Sequence, residues 1–105
     1  MTMAAPDLPG RVAISARAYE RVAAAVVADE LGVPVRAARA SVSDEGGAIS
    51  ARLTSAIALG ETPLATLAAR ARARTAERLS SLTGARVADV RLRITEAVEP
   101  QRRVS

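Results

Sequence analysis

The groups in this 105-residue chain that could do chemistry are few in kind: carboxylates, hydroxyls, guanidinium groups and one phenol, Tyr19. Two adjacent acidic pairs stand out, Asp29-Glu30 and Asp44-Glu45, because a carboxylate pair is what acid–base catalysis would require here. The first falls at an expected helix end and the second in an expected turn, and both are expected to be solvated. Neighbours in a helix point about 100° apart, so such a pair does not converge on a substrate. Nothing reads as a D-x-D-x-D-G calcium loop, and the one Gly pair, Gly46-Gly47, is far short of a phosphate-cradling loop. With no Cys there is no thiolate nucleophile, disulfide or zinc finger. With no His there is no imidazole to move protons near neutral pH. Lys is also missing, which removes Schiff-base and P-loop chemistry and makes all 15 basic residues Arg. The inventory predicts no catalytic residues, no metal site, no cofactor and no small-molecule substrate; the expectation is not an enzyme.

The balance of charge is basic, at +4 with a pI near 11.2. Half the residues count as hydrophobic, but 25 of the 105 are Ala, so any core is thin. Asp7 and two prolines interrupt the N-terminal residues where a signal peptide needs an apolar run. The longest apolar run, Val22 to Ala28, is too short to cross a bilayer. A cytoplasmic location without direct membrane insertion is the expectation.

The elements that must position these groups follow from periodicity. Val12 and Ile14 alternate with Arg11 and Ala13 as a short strand. Ser15 offers an N-cap for a helix over 16–31, with Tyr19, Val22, Ala23, Val26 and Val27 inward and Arg17 and Arg21 outward. Tyr19 is read as a core residue with its hydroxyl at the surface. Gly32 ends the helix as a left-handed cap. Residues 35–43 read as a second strand and Asp44 to Gly47 as a turn. Residues 48–59 give the clearest strand, with Ile49, Ala51, Leu53, Ser55, Ile57 and Leu59 on one face and Ser50, Arg52 and Thr54 on the other. Thr62 as N-cap and Pro63 at the first helical position open a second helix running to about Leu82. Its inward stripe is Leu64, Leu67, Ala68, Ala71, Thr75, Leu79 and Leu82, and Thr83-Gly84 closes it. A last strand over 86–95 places Ala88, Val90, Leu92 and Ile94 on one face and Asp89, Arg91 and Arg93 on the other.

This order, β-α-β-β-α-β, predicts an α+β fold, a two-layer sandwich with two helices on one face of a mixed sheet. Residues 1–9 and 96–105 are expected to be flexible tails around one domain over 10–95. Ile14, Val26, Leu53, Ile57, Leu64 and Leu92 are expected to dominate the core. The opposite sheet face, with Arg52, Thr54, Arg91 and Arg93, is expected to meet water or a partner.

Two surfaces could carry function. One is the Arg-bearing sheet face, with Arg52, Arg91 and Arg93. Arg suits bidentate phosphate contact, and the element order is also that of RNA-recognition sheets. Those sheets stack bases on aromatics, however, and no strand here has one. Of the arginines crowding the second helix, Arg70, Arg74 and Arg78 share a sector near Glu77 while Arg72 points elsewhere, a pattern suiting an ion-paired, solvated face. The other surface is the smooth stripe Ala65, Ala69, Ala73 and Ala76 with Ser80, bordered by Arg72, opposite the leucines of that helix. Small residues allow close approach of another subunit, and Ala is also simply the best helix former.

Taken in order, these motifs resemble the bacterial alkaline shock protein family, also called envelope stress response proteins. The resemblance rests on Gly10-Arg11-Val12-Ala13-Ile14-Ser15 leading into a helix, Leu31-Gly32-Val33 ending it, the long strand closed by Leu59-Gly60, and Leu82-Thr83-Gly84 before the strand from Val87 to Ile94. It implies a non-enzymatic cytoplasmic protein of cell-envelope homeostasis, a homo-oligomer reaching the membrane through a membrane-anchored protein partner. No catalytic residue set comes with it. Leu59 stands where the family often has an aromatic. A nucleic-acid-binding module is the second reading and a carboxylate enzyme the third.

Overall fold

The computed structural model describes residues 15–99. The predicted first strand, Val12 and Ile14 included, lies outside them. The described elements are α1 (Ala16–Leu31), a 3-10 turn (Val35–Ala37), β1 (Ala38–Glu45), β2 (Ala48–Ala58), α2 (Leu64–Thr83) and β3 (Arg86–Val98). They form an α+β fold in two layers, with both helices on one side of a three-stranded mixed sheet of order β1-β2-β3.

Local chemistry sets the boundaries. The Ser15 hydroxyl accepts from the Ala18 N–H at 3.1 Å, satisfying one of the amides that open α1. Gly32, at φ 74°, turns the chain out of α1 while the Val33 N–H donates to the Ala28 carbonyl at 3.0 Å. Gly46 and Gly47 both take positive φ, 66° and 87°, which is the requirement of a tight two-residue hairpin turn. The Asp44 carboxylate accepts from the Gly47 N–H at 3.1 Å and fixes that turn. β1 and β2 then pair antiparallel from Glu45 opposite Ala48 to Ala38 opposite Ser55. β2 and β3 lie parallel, joined through α2.

Several expectations need correction. Residues 35–37 form a 3-10 turn after Pro34 rather than strand, and β1 extends instead to Glu45. α2 starts at Leu64: Pro63 is extended (ψ 144°) and is itself the cap, its carbonyl accepting from the Leu67 N–H, and the Thr62 side chain does not cap. β3 continues to Val98, because Ala97 and Val98 still pair with Ile57 and Ala58 and the Val98 carbonyl accepts from Leu59 N–H at 2.8 Å. The tail expected from residue 96 is therefore strand as far as Val98.

The core gathers Val27, Leu53, Ile57 and Leu79, each fully buried, with Ala23, Val26, Leu31, Ile49 and Val90 around them. Each large aliphatic contributes about 1.5–3 kcal/mol on burial. The inward sector of α1 is as expected, with Tyr19 and Val22 half-buried at its margin. On α2 only Ala71, Thr75 and Leu79 are buried. Leu64 and Leu82 lie on the same inward line but remain 45% and 63% exposed, because among the described residues nothing covers the first and last turns of the helix. Leu92 is only half-buried, since β3 is an outer strand. Two irregularities interrupt the β2–β3 register, where Ala88 and Thr95 have no opposite residue. The first turns Val87 inward opposite Ile49 and leaves Ala88 exposed. The simple alternation that put Ala88 on the buried face does not hold there.

Candidate functional site

The sheet face away from the helices is built by the strands' two-residue alternation. Register fixes who stands beside whom. Ser41, Arg52 and Arg91 form one row across the three strands; Arg39, Thr54 and Arg93 form the next; Ser43, Ser50 and Asp89 form a third. Arg39, Arg52, Arg91 and Arg93 are all exposed. The structure therefore brings together the three predicted arginines of the sheet and adds Arg39. The dilute alternation of residues 35–43 hid Arg39 from sequence reasoning; only the hairpin register places it beside Thr54.

Between these rows lies a shallow depression of about 540 Å³, lined by Ser41, Ser43, Ser50, Arg52, Asp89 and Arg91 among others. Its one ion pair runs along β3, from Arg91 Nε to Asp89 at 3.1 Å, with both side chains half or more exposed. Exposed pairs of this kind add little to stability. Guanidinium donors flanked by hydroxyls can hold carboxylate or phosphate oxygens of a partner.

The stripe on α2 is a separate surface. Ala65, Ala69, Arg72 and Ala73 are exposed, whereas Ala76 turns toward β3 and is half-buried. Ala76, Glu77, Ser80, Ser81 and Val87 line an open notch where α2 meets the start of β3. The stripe belongs to the helical layer and the arginines to the bare face, so the predicted residues do not form one site.

Several acidic residues have structural partners. Asp29 and Glu30 do converge, contrary to expectation, but on a guanidinium: Arg78 Nη1 lies 2.8 Å from Asp29 and 3.0 Å from Glu30. Hydrogen bonds to Asp29 first and Glu30 second raise the Arg78 pKa above its ordinary value. The Glu30 side chain is only 12% exposed rather than solvated. The pair ties α1 to α2, and a contact spanning such sequence separation leaves no local signal. Glu20, which the sequence does not single out, accepts the Val42 N–H of β1 at 3.1 Å.

Among the described residues no three His, Cys, Asp or Glu side chains cluster as metal ligands would, and no helix is long and apolar enough to cross a membrane. Compared with protein-family models, curated proteins and solved structures, the chain matches none.

Proposed function

We propose that this chain is a non-enzymatic structural or adaptor protein of the bacterial cell-envelope stress response, acting through protein–protein contacts and self-association. The observation that carries the contact reading is the bare sheet face, where Arg39, Arg52, Arg91 and Arg93 stand exposed in two adjacent rows with serine hydroxyls beside them. Such a face suits acidic groups on another protein. The stress-response assignment comes from the resemblance to alkaline shock proteins. On that reading the protein is cytoplasmic and gathers at the membrane through a membrane-anchored partner.

The test is co-purification from a bacterial membrane fraction, with the wild type compared against an Arg52→Glu, Arg93→Glu variant, alongside sizing at tens of micromolar. The reading expects a membrane-anchored protein retained by the wild type and lost by the variant. A strict monomer that recovers no membrane-anchored protein overturns it.

The same four guanidinium groups support a second reading, a nucleic-acid-binding module. It expects affinity that falls steeply with salt and drops on Arg91→Ala and Arg93→Ala. No binding to single- or double-stranded probes at low salt disposes of it.

A further inference from the structure

The bare sheet face carries more positive charge than the fold itself uses. Arg52 and Arg91 are direct neighbours across β2 and β3, one strand spacing, about 5 Å, apart at the backbone. Arg93 follows two residues further along β3, in the next row. Like charges held side by side repel. Among the described residues one acid answers them: Asp89 accepts from the Arg91 Nε at 3.1 Å. That contact orients the guanidinium and leaves its two Nη groups for another acceptor. The hydroxyl-bearing Ser41 and Ser50 line the same depression as the two arginines.

We infer that this depression receives a phosphate monoester, the phosphorylated side chain of a partner protein. The inference rests on the reading of this protein as one that works by contacts, and it names the group on the partner. Charge is the first argument. The four arginines of the face, less Asp89, leave three positive charges, and a phosphorylated side chain brings about two negative ones where a carboxylate brings one. The donors are the second. A carboxylate offers two oxygens in one plane, which a single arginine engages bidentately. A monoester offers three oxygens pointing apart, and these suit two arginines on neighbouring strands with hydroxyls beside them.

The extent of the patch is the third argument. Its two basic rows cover about 7 Å along the strands. The rows beyond carry acids, Asp89 beside Ser50 on one side and Glu96 beside Ala56 on the other, both exposed. A nucleic-acid duplex or an anionic bilayer is wider than that and would set its own charges against these acids. A single dianion fits between them. The chain's own ends offer no such group: residues 1–14 contain one acidic side chain, Asp7, and residues 100–105 contain Arg102 and Arg103 with no acid.

The experiment is titration of the isotope-labelled full chain, followed by amide NMR shifts at low salt and around pH 7.5, where the monoester is a dianion. The probes are a glycine-flanked phosphoserine peptide, its serine and glutamate counterparts, inorganic phosphate and a single-stranded oligonucleotide. The phosphoserine peptide should give saturable shifts at Ser41, Ser50, Arg52 and Arg91, the glutamate peptide should bind about tenfold more weakly, and the serine peptide should not bind. Arg52→Gln and Arg91→Gln should each weaken the phosphoserine peptide about tenfold or more, while Arg72→Gln, on the exposed side of α2, should leave it unchanged. Unaltered amide shifts in the helices show that the variants keep the fold. A glutamate peptide that binds as tightly overturns the phosphate assignment and leaves a face for ordinary acidic groups. Inorganic phosphate that binds where the phosphoserine peptide does not overturns docking of a phosphorylated partner. An oligonucleotide that binds more tightly than the peptide overturns it in favour of nucleic acid. Peptide binding that appears only on deletion of residues 1–14 overturns it in favour of the chain's own segment. Absence of shifts with every probe overturns it too, while a membrane-anchored protein retained by the wild type and lost by the Arg52→Glu, Arg93→Glu variant would still sustain the adaptor reading.

Discussion

Replacing Thr75 by Val should make the protein more stable. Thr75 lies in the middle of α2, wholly buried between Ala71 and Leu79 on the inward line, and its hydroxyl has no hydrogen-bond partner. A polar group buried without a partner carries a desolvation cost of about 1–3 kcal/mol. Val has the same branching at Cβ and so fits the same space and rotamer, while the two differ little in helix propensity. The expected gain is about 1–2 kcal/mol. In a domain of this size that is a rise of roughly 4–8 °C in Tm per kcal/mol. Urea titration reads it as a higher midpoint at unchanged slope. Ser55→Ala is the matched comparison: Ser55 is just as buried, but its hydroxyl donates to the Ala56 carbonyl at 2.7 Å. Deleting that hydroxyl should cost about 0.5–1.5 kcal/mol. Loss of a buried hydroxyl is thus expected to have opposite signs at the two sites. A loss of stability in Thr75→Val would refute the reasoning and mean that the hydroxyl is bonded in solution, as back-bonding to the carbonyl one turn earlier would allow.

Three further outcomes follow from the fold. Gly32→Ala forces a left-handed residue at φ 74° and brings its Cβ to 3.4 Å from that of Ala58, so it should cost about 1–2 kcal/mol by thermal melting. Leu53→Ala empties a fully buried position on the central strand and should cost about 2–5 kcal/mol, read by the same titration. The folded-state pKa of Arg78 is raised, so whatever its ion pairs contribute is complete below the ordinary arginine range and is lost only as pH climbs through the raised value. Arg78→Gln should therefore shift Tm equally at around pH 7 and around pH 9, and a shift that changes between the two would contradict this.

What could be read from the sequence was what local chemistry decides. Ser15, Gly32 and Gly84 mark helix ends whose capping needs no distant partner, and the alternation of 48–58 sets the long strand and its arginine. What escaped was decided by other elements. The exposure of Leu64 and Leu82 depends on what lies beyond the ends of α2, and the place of Ala88 on a register irregularity against β2. The candidate face was half visible: Arg52, Arg91 and Arg93 fall out of alternation, while Arg39 joins them only through the hairpin. The Glu20–Val42 and Arg78–Asp29 contacts bridge 22 and 49 positions, beyond any periodicity.

The carboxylate of Glu20 on the Val42 amide has a consequence for growth. Strand addition on both flanks of a sheet propagates without limit and ends in fibres. Here a negative side chain sits on one flank, where Arg39 of the same strand also stands exposed, and discourages further stacking. Losing Glu20 would bare that amide to a neighbouring strand before it touched the core.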